Sequence, residues 1–318
     1  MSHQIAAFGE ILWDMLPSGK QLGGAPGNFA YHSHVLGSDV MVISQVGNDV
    51  LGREITAELN KRNIPVDFIG IDLERPTGTV EVELDRMGHP AYQIIEDVAW
   101  DGIKPSRAAF LYATEVDAIC FGSLAMRGEE NRVSFSSLIN GVPGRALRVL
   151  DLNLREPFYT EKTLRSLLSV CNVLKLNDDE LIILAGILNK EFRPETFFDE
   201  GGAETVTLSS GARAFIDSLI DYYSLKYCIL TCGAKGSFLL DGSGILSRLE
   251  STPVMVASTV GAGDAFTAVC VNGFLNGDDP VEIHRRAVRY AAYVCTQPGA
   301  MPPVTPEQLK EWGFKSGE

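Results

Sequence analysis

The chain has 318 residues, 45% of them hydrophobic, which suits one large α/β domain, or one domain with an insertion, around a sizeable core. Its net charge of −14 argues against a nucleic-acid partner and against an anionic membrane surface. No run approaches the roughly 18–20 apolar residues of a membrane span. The start, Met1-Ser2-His3-Gln4, runs directly into a strand-like segment, so no signal peptide is expected. The six cysteines are scattered through apolar runs without a Cys-x-x-Cys pair, which reads as reduced core thiols of a cytoplasmic protein.

In chain order, Ile5–Phe8 reads as a buried strand ending at Gly9-Glu10, with Trp13 and Asp14 on a loop or an extension of it. Gly23-Gly24-Ala25-Pro26-Gly27-Asn28 reads as a glycine-rich turn feeding a helix over about Gly27–Leu36. Strand- and helix-prone runs then alternate: Val40–Val46, Val50–Asn63, Ala118–Phe121, Arg132–Ile139, Leu147–Leu152, Thr163–Leu168, Val173–Leu176, Asp179–Leu188, Thr205–Leu208, Ala212–Tyr223, Cys228–Thr231 and Ser237–Leu240. This rhythm predicts a doubly wound, mostly parallel sheet with helices on both faces. One segment departs from it. Val80, Val82 and Leu84 alternate with Thr79, Glu81 and Glu83, a turn-rich stretch follows at Asp85–Pro90, and Ala91–Ile95 returns. That is an inserted β-hairpin, either a flap over one end of the sheet or a hairpin on its edge. Glu191–Glu204 reads as an acidic surface excursion.

The stretch Thr259-Val260-Gly261-Ala262-Gly263-Asp264 lies between a β-prone run, Pro253–Ala257, and a helix-prone run, Ala265–Leu275. Two glycines let the backbone approach a ligand, and the helix start points unpaired N–H groups and the positive end of its dipole at it. A phosphate suits such a place. Asp264 beside an anion hole is either an N-cap or a base that takes a proton from an attacking hydroxyl.

There is no G-x-x-x-x-G-K-[ST] loop and no G-x-G-x-x-G after the first strand. The His-Arg-Asp and Asp-Phe-Gly elements of protein kinases are missing as well. His32 and His34 do not share a helical face and read as ordinary helix residues. Cys228 and Cys232 lack further ligands and read as core. Asn177-Asp178-Asp179-Glu180 has the spacing of a capping box, or of an outer shell around magnesium. Thr231-Cys232-Gly233-Ala234-Lys235-Gly236 is a strand end and tight turn that can carry a nucleotide or simply turn the chain. Asp151, Asn153 and Arg155 alternate along a strand end, where Asn153 and Arg155 could face a pocket mouth.

Together these pieces resemble the ribokinase-like (PfkB) carbohydrate kinases over essentially the whole length. Gly23-Gly24-x-Pro26-x-Asn28-x-Ala30, followed by Gly37 and Gly47, matches the first family signature, and Thr259, Gly261, Ala262, Gly263 and Asp264 match the second. Asn177-x-x-Glu180 matches the magnesium and phosphate motif. Gly9-Glu10-Ile11-Leu12-x-Asp14 and Asp151-x-Asn153-x-Arg155-Glu156-Pro157 look most like the fructokinase branch.

The resemblance implies Asp264 as catalytic base and Gly261, Ala262 and Gly263 as anion hole. It implies Asp14, Gly23, Gly24, Asn28 and Arg155 at the sugar. Asn177, Thr231, Gly233 and Gly236 would hold ATP, and Glu180 would reach Mg2+ through water. A lid built from about 11–22 and 66–100 is implied within a single domain over 1–318; in many members the lid also makes a homodimer contact. The expected reaction is ATP-dependent phosphorylation of a sugar's primary hydroxyl, fructose first, with 2-keto-3-deoxygluconate, ribose or a nucleoside as other acceptors. A non-catalytic sugar-binding regulator is the alternative from another class. Two positions depart from the family. Val269 stands where Gly or Ala is usual, and Ser258 replaces the leading Asp, which in relatives helps hold a monovalent cation.

Overall fold

The computed structural model describes residues 2–17, 19–84, 90–188 and 207–314. The excursion at Glu191–Glu204 lies outside them, as do Asp85–His89 at the hairpin tip and the first two residues of the run Thr205–Leu208.

The strands are β1 (Gln4–Phe8), β2 (Leu12–Leu16), β3 (Gly19–Gly23), β4 (Asp39–Gly47), β5 (Ile69–Asp72), β6 (Thr79–Leu84), β7 (Pro90–Ile94), β8 (Ala118–Gly122), β9 (Leu147–Asp151), β10 (Val173–Asn177), β11 (Tyr227–Thr231), β12 (Ser237–Asp241) and β13 (Gly244–Leu249). The helices are α1 (Ala25–Val35), α2 (Val50–Lys61), α3 (Arg107–Ala113), α4 (Glu129–Ile139), α5 (Glu161–Val170), α6 (Asp178–Leu188), α7 (Ser210–Tyr223), α8 (Ala262–Asn276), α9 (Pro280–Cys295) and α10 (Pro306–Glu311).

Among the described residues, nine strands form one sheet in the order β13-β12-β11-β10-β9-β8-β1-β4-β5. It is parallel from β11 to β5, and the antiparallel strands β12 and β13 finish one edge. Side chains alternate across it as the pleat requires. Ile5 and Ala7 of β1 join one core with Val40, Val42, Val149 and Ile229, under α1, α2, α8 and α9. Ala6 and Phe8 join the other with Ile43, Phe121, Leu150 and Leu230, under α3 to α7. The expected α/β architecture is thus present, with both faces covered.

The order reverses at β1, which lies between β4 and β8. Open α/β sheets bind ligands at the carboxyl ends of strands beside such a switch point. Gly9 and Glu10 follow β1 there, with Asp151 closing β9 and Asn177 closing β10.

The hairpin is a flap and not an edge of the main sheet. β6 and β7 belong to a second sheet of four strands, order β3-β2-β6-β7, in which Trp13, Asp14 and Met15 pair with Thr79, Val80 and Glu81. Trp13 and Asp14 are therefore strand residues of the lid. β5, inside the 66–100 stretch, instead pairs with β4 as the last strand of the main sheet. Two other expectations shift. Helix α1 begins at Ala25, so the glycine-rich turn is already its first turn and Gly24 its cap. Among the described residues Pro253–Ala257 has no strand pairing; the edge is β13, and the later run is exposed at 252–257, with the Ala257 and Ser258 N–H groups donating to the Cys295 carbonyl.

Candidate active site

Helix α8 starts from Gly261, whose φ of 81° is left-handed. A Cβ there would sit 2.6 Å from Ala300 Cβ and 2.7 Å from its Cα, so both conformation and space call for glycine. Ala262 and Gly263 open the helix and Asp264 is its third residue, so it is not the N-cap. No side chain caps this end. The first N–H groups of the helix have no intrahelical acceptor. That of Ala262 closes a turn onto the Thr259 carbonyl at 3.3 Å, leaving those of Gly263 and Asp264 for a ligand.

The Asp264 carboxylate turns to α1, where Asn28 Nδ2 donates to its Oδ2 at 2.7 Å. Asn28 is buried and its own side-chain oxygen has no partner. Gly24 places it: at φ 107° it caps α1, and a Cβ there would strike the Glu10 carbonyl and sit 3.0 Å from Ile11 Cα. His32, on the same helix, holds Ala300, against which Gly261 packs. Its Nε2 lies 2.9 Å from the Ala300 carbonyl and its Nδ1 3.0 Å from the Tyr290 hydroxyl. Burial pushes its pKa down to about 4, so it is a neutral imidazole with one donor and one acceptor nitrogen. His32 is thus a helix residue, as expected, and also a buried link between α1, Ala300 and Tyr290.

Charges crowd the floor of the site. Burial pushes the Asp264 pKa up to about 6, with the Asp151 charge adding to it, against Lys175, Asn28 and Arg155. Burial likewise raises Glu10 to about 7, against hydrogen bonds from its own and the Ala25 backbone. Asp14 is raised to about 6 by burial, opposed by Arg155. Beneath them Lys175 Nζ donates to Asp151 Oδ1 at 2.9 Å, with both side chains below 10% exposed. Burial alone would lower the Lys175 pKa, but Asp151, Glu180 and Asp264 outweigh it and keep the ammonium charged. The Thr267 hydroxyl lies 3.0 Å from Asp151 Oδ2 and 2.9 Å from the Gly263 carbonyl, and a Cβ on Gly263 would sit 3.0 Å from Lys175 Nζ. Lys175 and Thr267 were not singled out from sequence, and Glu10 only as part of the Gly9–Asp14 stretch, without a role. Lys175 left one trace, a charge inside the apolar strand Val173–Leu176.

The other expected residues fall into two neighbouring groups. Asp14, on β2, faces Gly23, where a Cβ would press against the Asp14 carboxylate. Arg155 is exposed after β9, donates to the Leu154 carbonyl at 2.9 Å, and its field reaches Asp14, Glu10 and Asp264. Asn153, just before it, is held at φ 39°. One strand further on, Asn177 and Glu180 form a reciprocal capping box. The Asn177 N–H donates to Glu180 Oε2 and the Glu180 N–H to Asn177 Oδ1, both at 2.8 Å. Glu180 Oε1 also accepts from the Leu154 N–H at 2.9 Å. Thr231 pairs in register with Asn177, and Gly233 and Gly236 shape the turn after it, at φ 54° and 108°. A Cβ on Gly236 would strike the Leu249 carbonyl.

A profile described as pfkB family carbohydrate kinase matches residues 18–308. A sugar kinase of Pyrococcus horikoshii, PH1459, solved in complex with ATP, superposes with a TM-score of 0.77 at 26% identity, covering 96% of this chain and 97% of that one. The fructokinase of Escherichia coli is 25% identical over 324 residues, 95% of this chain and 96% of its own. The 2-dehydro-3-deoxygluconokinase of Thermotoga maritima shares the fold, with a TM-score of 0.77 over 97% of this chain and 98% of that one at 17% identity. The match to the family profile extends over the glycine turn at α1, the Asn177–Glu180 box and the turn at α8 together, and the chain is accordingly a member of the pfkB family of carbohydrate kinases, a phosphotransferase acting on sugars.

Proposed function

We propose that this kinase transfers the γ-phosphoryl group of ATP to a primary hydroxyl of a sugar, with fructose as first choice. The observation that carries the reading is Asp264: a buried carboxylate in the first turn of α8, bonded to Asn28, with a pKa near 6. A base for work near neutrality needs a pKa not far below it. As the sugar hydroxyl attacks the γ-phosphorus, Asp264 accepts its proton. The new oxygen–phosphorus bond forms, the bond from phosphorus to the bridging oxygen breaks, and ADP leaves with that oxygen. The free N–H groups and dipole of α8 oppose the charge on the moving group. Asp14, Gly23, Gly24, Asn28 and Arg155 hold the acceptor, and Asn177, Thr231, Gly233 and Gly236 the nucleotide.

Among the described residues no group of three or more His, Cys, Asp or Glu could cage a metal. That suits Mg2+, which keeps waters and takes substrate phosphates as ligands. Glu180 would meet the ion through water: each of its oxygens accepts one backbone N–H group and keeps one lone pair to take a hydrogen bond from a metal-bound water. Bound magnesium would neutralise phosphate charge. The homodimer through the lid belongs to the same reading, and the mass in solution tests it.

The exposed Arg155 favours one second reading, an acidic acceptor such as 2-keto-3-deoxygluconate, whose carboxylate a guanidinium can bind with two parallel hydrogen bonds. A coupled assay of ADP release on fructose, 2-keto-3-deoxygluconate, ribose and a nucleoside separates these. Fructose should give the highest kcat/KM. Calorimetric sugar binding without ADP release for any acceptor would leave a sugar-binding regulator in place of a kinase.

A further inference from the structure

Both stems of the lid hairpin β6–β7 and the loop after Arg155 converge on one guanidinium, the Ile95 stem directly, the Gly78 stem through Trp100 and the loop through Phe158. Arg127 ends the short 3-10 helix Leu124–Arg127 after β8. Its Nε and Nη2 donate to the two carboxylate oxygens of Asp101, each at 2.7 Å. Nη2 also donates to the Ile95 carbonyl at 2.7 Å. Ile95 is the first residue past β7, so this bond grips one lid stem. The other stem is Gly78, just before β6, whose carbonyl accepts from the Trp13 N–H of β2. A Cβ on Gly78 would collide with the Trp100 indole, and the Arg127 guanidinium carbon lies 4.0 Å from the centroid of that ring. It also lies 4.7 Å from the ring of Phe158, whose N–H donates to the Arg155 carbonyl at 2.8 Å.

This is a costly arrangement for packing alone. The Arg127 side chain is 6% exposed and Asp101 12%, and Arg127 Nη1 is buried without a hydrogen-bond partner. A buried pair with an unmet donor is often matched or bettered by apolar residues of similar volume. What an apolar residue could not supply is the planar fork: in-plane bonds to a lid stem and to Asp101, with ring faces stacked on it.

We propose that Arg127 is a positioning residue that couples lid closure to the loop carrying Arg155. Movement of the Ile95 stem shifts the guanidinium plane, and the plane carries Phe158, and with it the Arg155 segment, toward the acceptor. The inference rests on the reading of the lid and Arg155 as parts of the sugar site. Lysine would keep the charge opposite Asp101 but lose the fork and the stack.

Three variants test it: Arg127→Lys, Arg127→Met and Phe158→Leu. Both Arg127 variants should raise the sugar KM by about tenfold or more, with kcat moved less than about threefold, since a small misplacement far from the chemistry is enough. The fraction of ADP released without sugar transfer should rise in both. Phe158→Leu leaves the Asp101 and Ile95 bonds intact and should move KM in the same direction by less. Hydrogen exchange on the full-length protein supplies a readout that needs no turnover. In Arg127→Met, amides of 76–81, 93–98 and 155–160 should exchange faster together. A folded Arg127→Met with wild-type sugar KM, or with faster exchange in only one of those segments, overturns the coupling. So does rescue of KM by Arg127→Lys. If Arg127→Met does not fold, Phe158→Leu decides, and unchanged exchange at 93–98 rejects the proposal. Wild-type protein that phosphorylates no sugar would refute the functional reading, while the exchange data would still judge the coupling.

Discussion

Asp264 gains its chemistry from neighbours on three elements, so its substitution and its titration are separable tests. Asp264→Asn should lower kcat by at least about 10²-fold while ATP binding and the unfolding midpoint stay nearly unchanged. With Asp264 as the proposed base the carboxylate is the active form, so kcat/KM should rise with pH around the Asp264 pKa of about 6, and the Asn variant should lose that limb. A variant that keeps most of its turnover removes Asp264 from the role. Glu10 makes a second prediction, about stability. Its folded pKa, about 7, lies above the ordinary 4.5, so the folded state holds its proton more tightly. The stability tied to that proton is present below pH 4.5 and lost as pH rises through 7. Relative to Glu10→Gln, the wild type should therefore lose roughly 3 kcal/mol between pH 4 and pH 8. Denaturant unfolding of both proteins at the two pH values measures it, and a constant difference would rule it out. Ser258 brings no charge, and its hydroxyl already accepts from the Val260 N–H at 3.2 Å. The Ala300 carbonyl, which would be the alternative oxygen for a monovalent cation here, is within 2.9 Å of His32 Nε2. Potassium should activate by less than about threefold, under roughly 0.7 kcal/mol of barrier. Rates in potassium and in a bulky organic cation at equal ionic strength check this, and a tenfold activation would contradict it.

At the scale of elements, the start of α6 carries a motif with two readings, a helix cap and an outer shell around magnesium. From spacing alone, Glu180→Gln should be tolerated as a cap, because Gln completes a capping box. The Leu154 N–H bond changes that expectation. Both carboxylate oxygens accept from backbone donors, and Gln would turn its NH2 group toward one of them. A buried donor left facing a donor costs about 1–3 kcal/mol. Glu180→Gln should therefore unfold at lower denaturant by that amount, apart from any rise in magnesium requirement. Wild-type stability with a raised magnesium requirement would assign Glu180 to the metal alone. The lid depends on context in the same way. The alternation Val80, Val82, Leu84 announces a strand, but its partner β2 lies more than sixty residues earlier in the chain. Pairing at that separation leaves no local pattern.

For the whole molecule, the sheet buries alternate residues of each central strand in separate cores, and the cysteines follow. Cys120, Cys171, Cys228, Cys232 and Cys270 are buried free thiols, and Cys295 is half-buried. Burial pushes Cys171, Cys228 and Cys232 up to about 12, far from the reactive thiolate. A thiol-reactive disulfide reagent should therefore titrate at most one thiol in the native protein and all six in denaturant. Two or more fast thiols in the folded state would mean that the cores open. No helix among the described residues is long and apolar enough to cross a membrane.

The alternation of apolar strands and helices was enough to specify a parallel sheet covered on both faces, because period and burial are local consequences of side-chain direction. The signature glycines were legible for a related reason. Gly24 and Gly261 adopt left-handed conformations where a Cβ would strike Glu10 or Ala300, so the residue type itself reports the geometry. The Asp264 motif could be read, but not its neighbours. Asn28 lies 236 positions away, and Lys175, Asp151 and Thr267 come from three separate elements, so no spacing records that they share one buried charge network. The raised pKa of Asp264 is a property of that network. Burial and opposing charges are summed over residues that meet only when β9, β10, α1 and α8 converge at the switch point of the sheet.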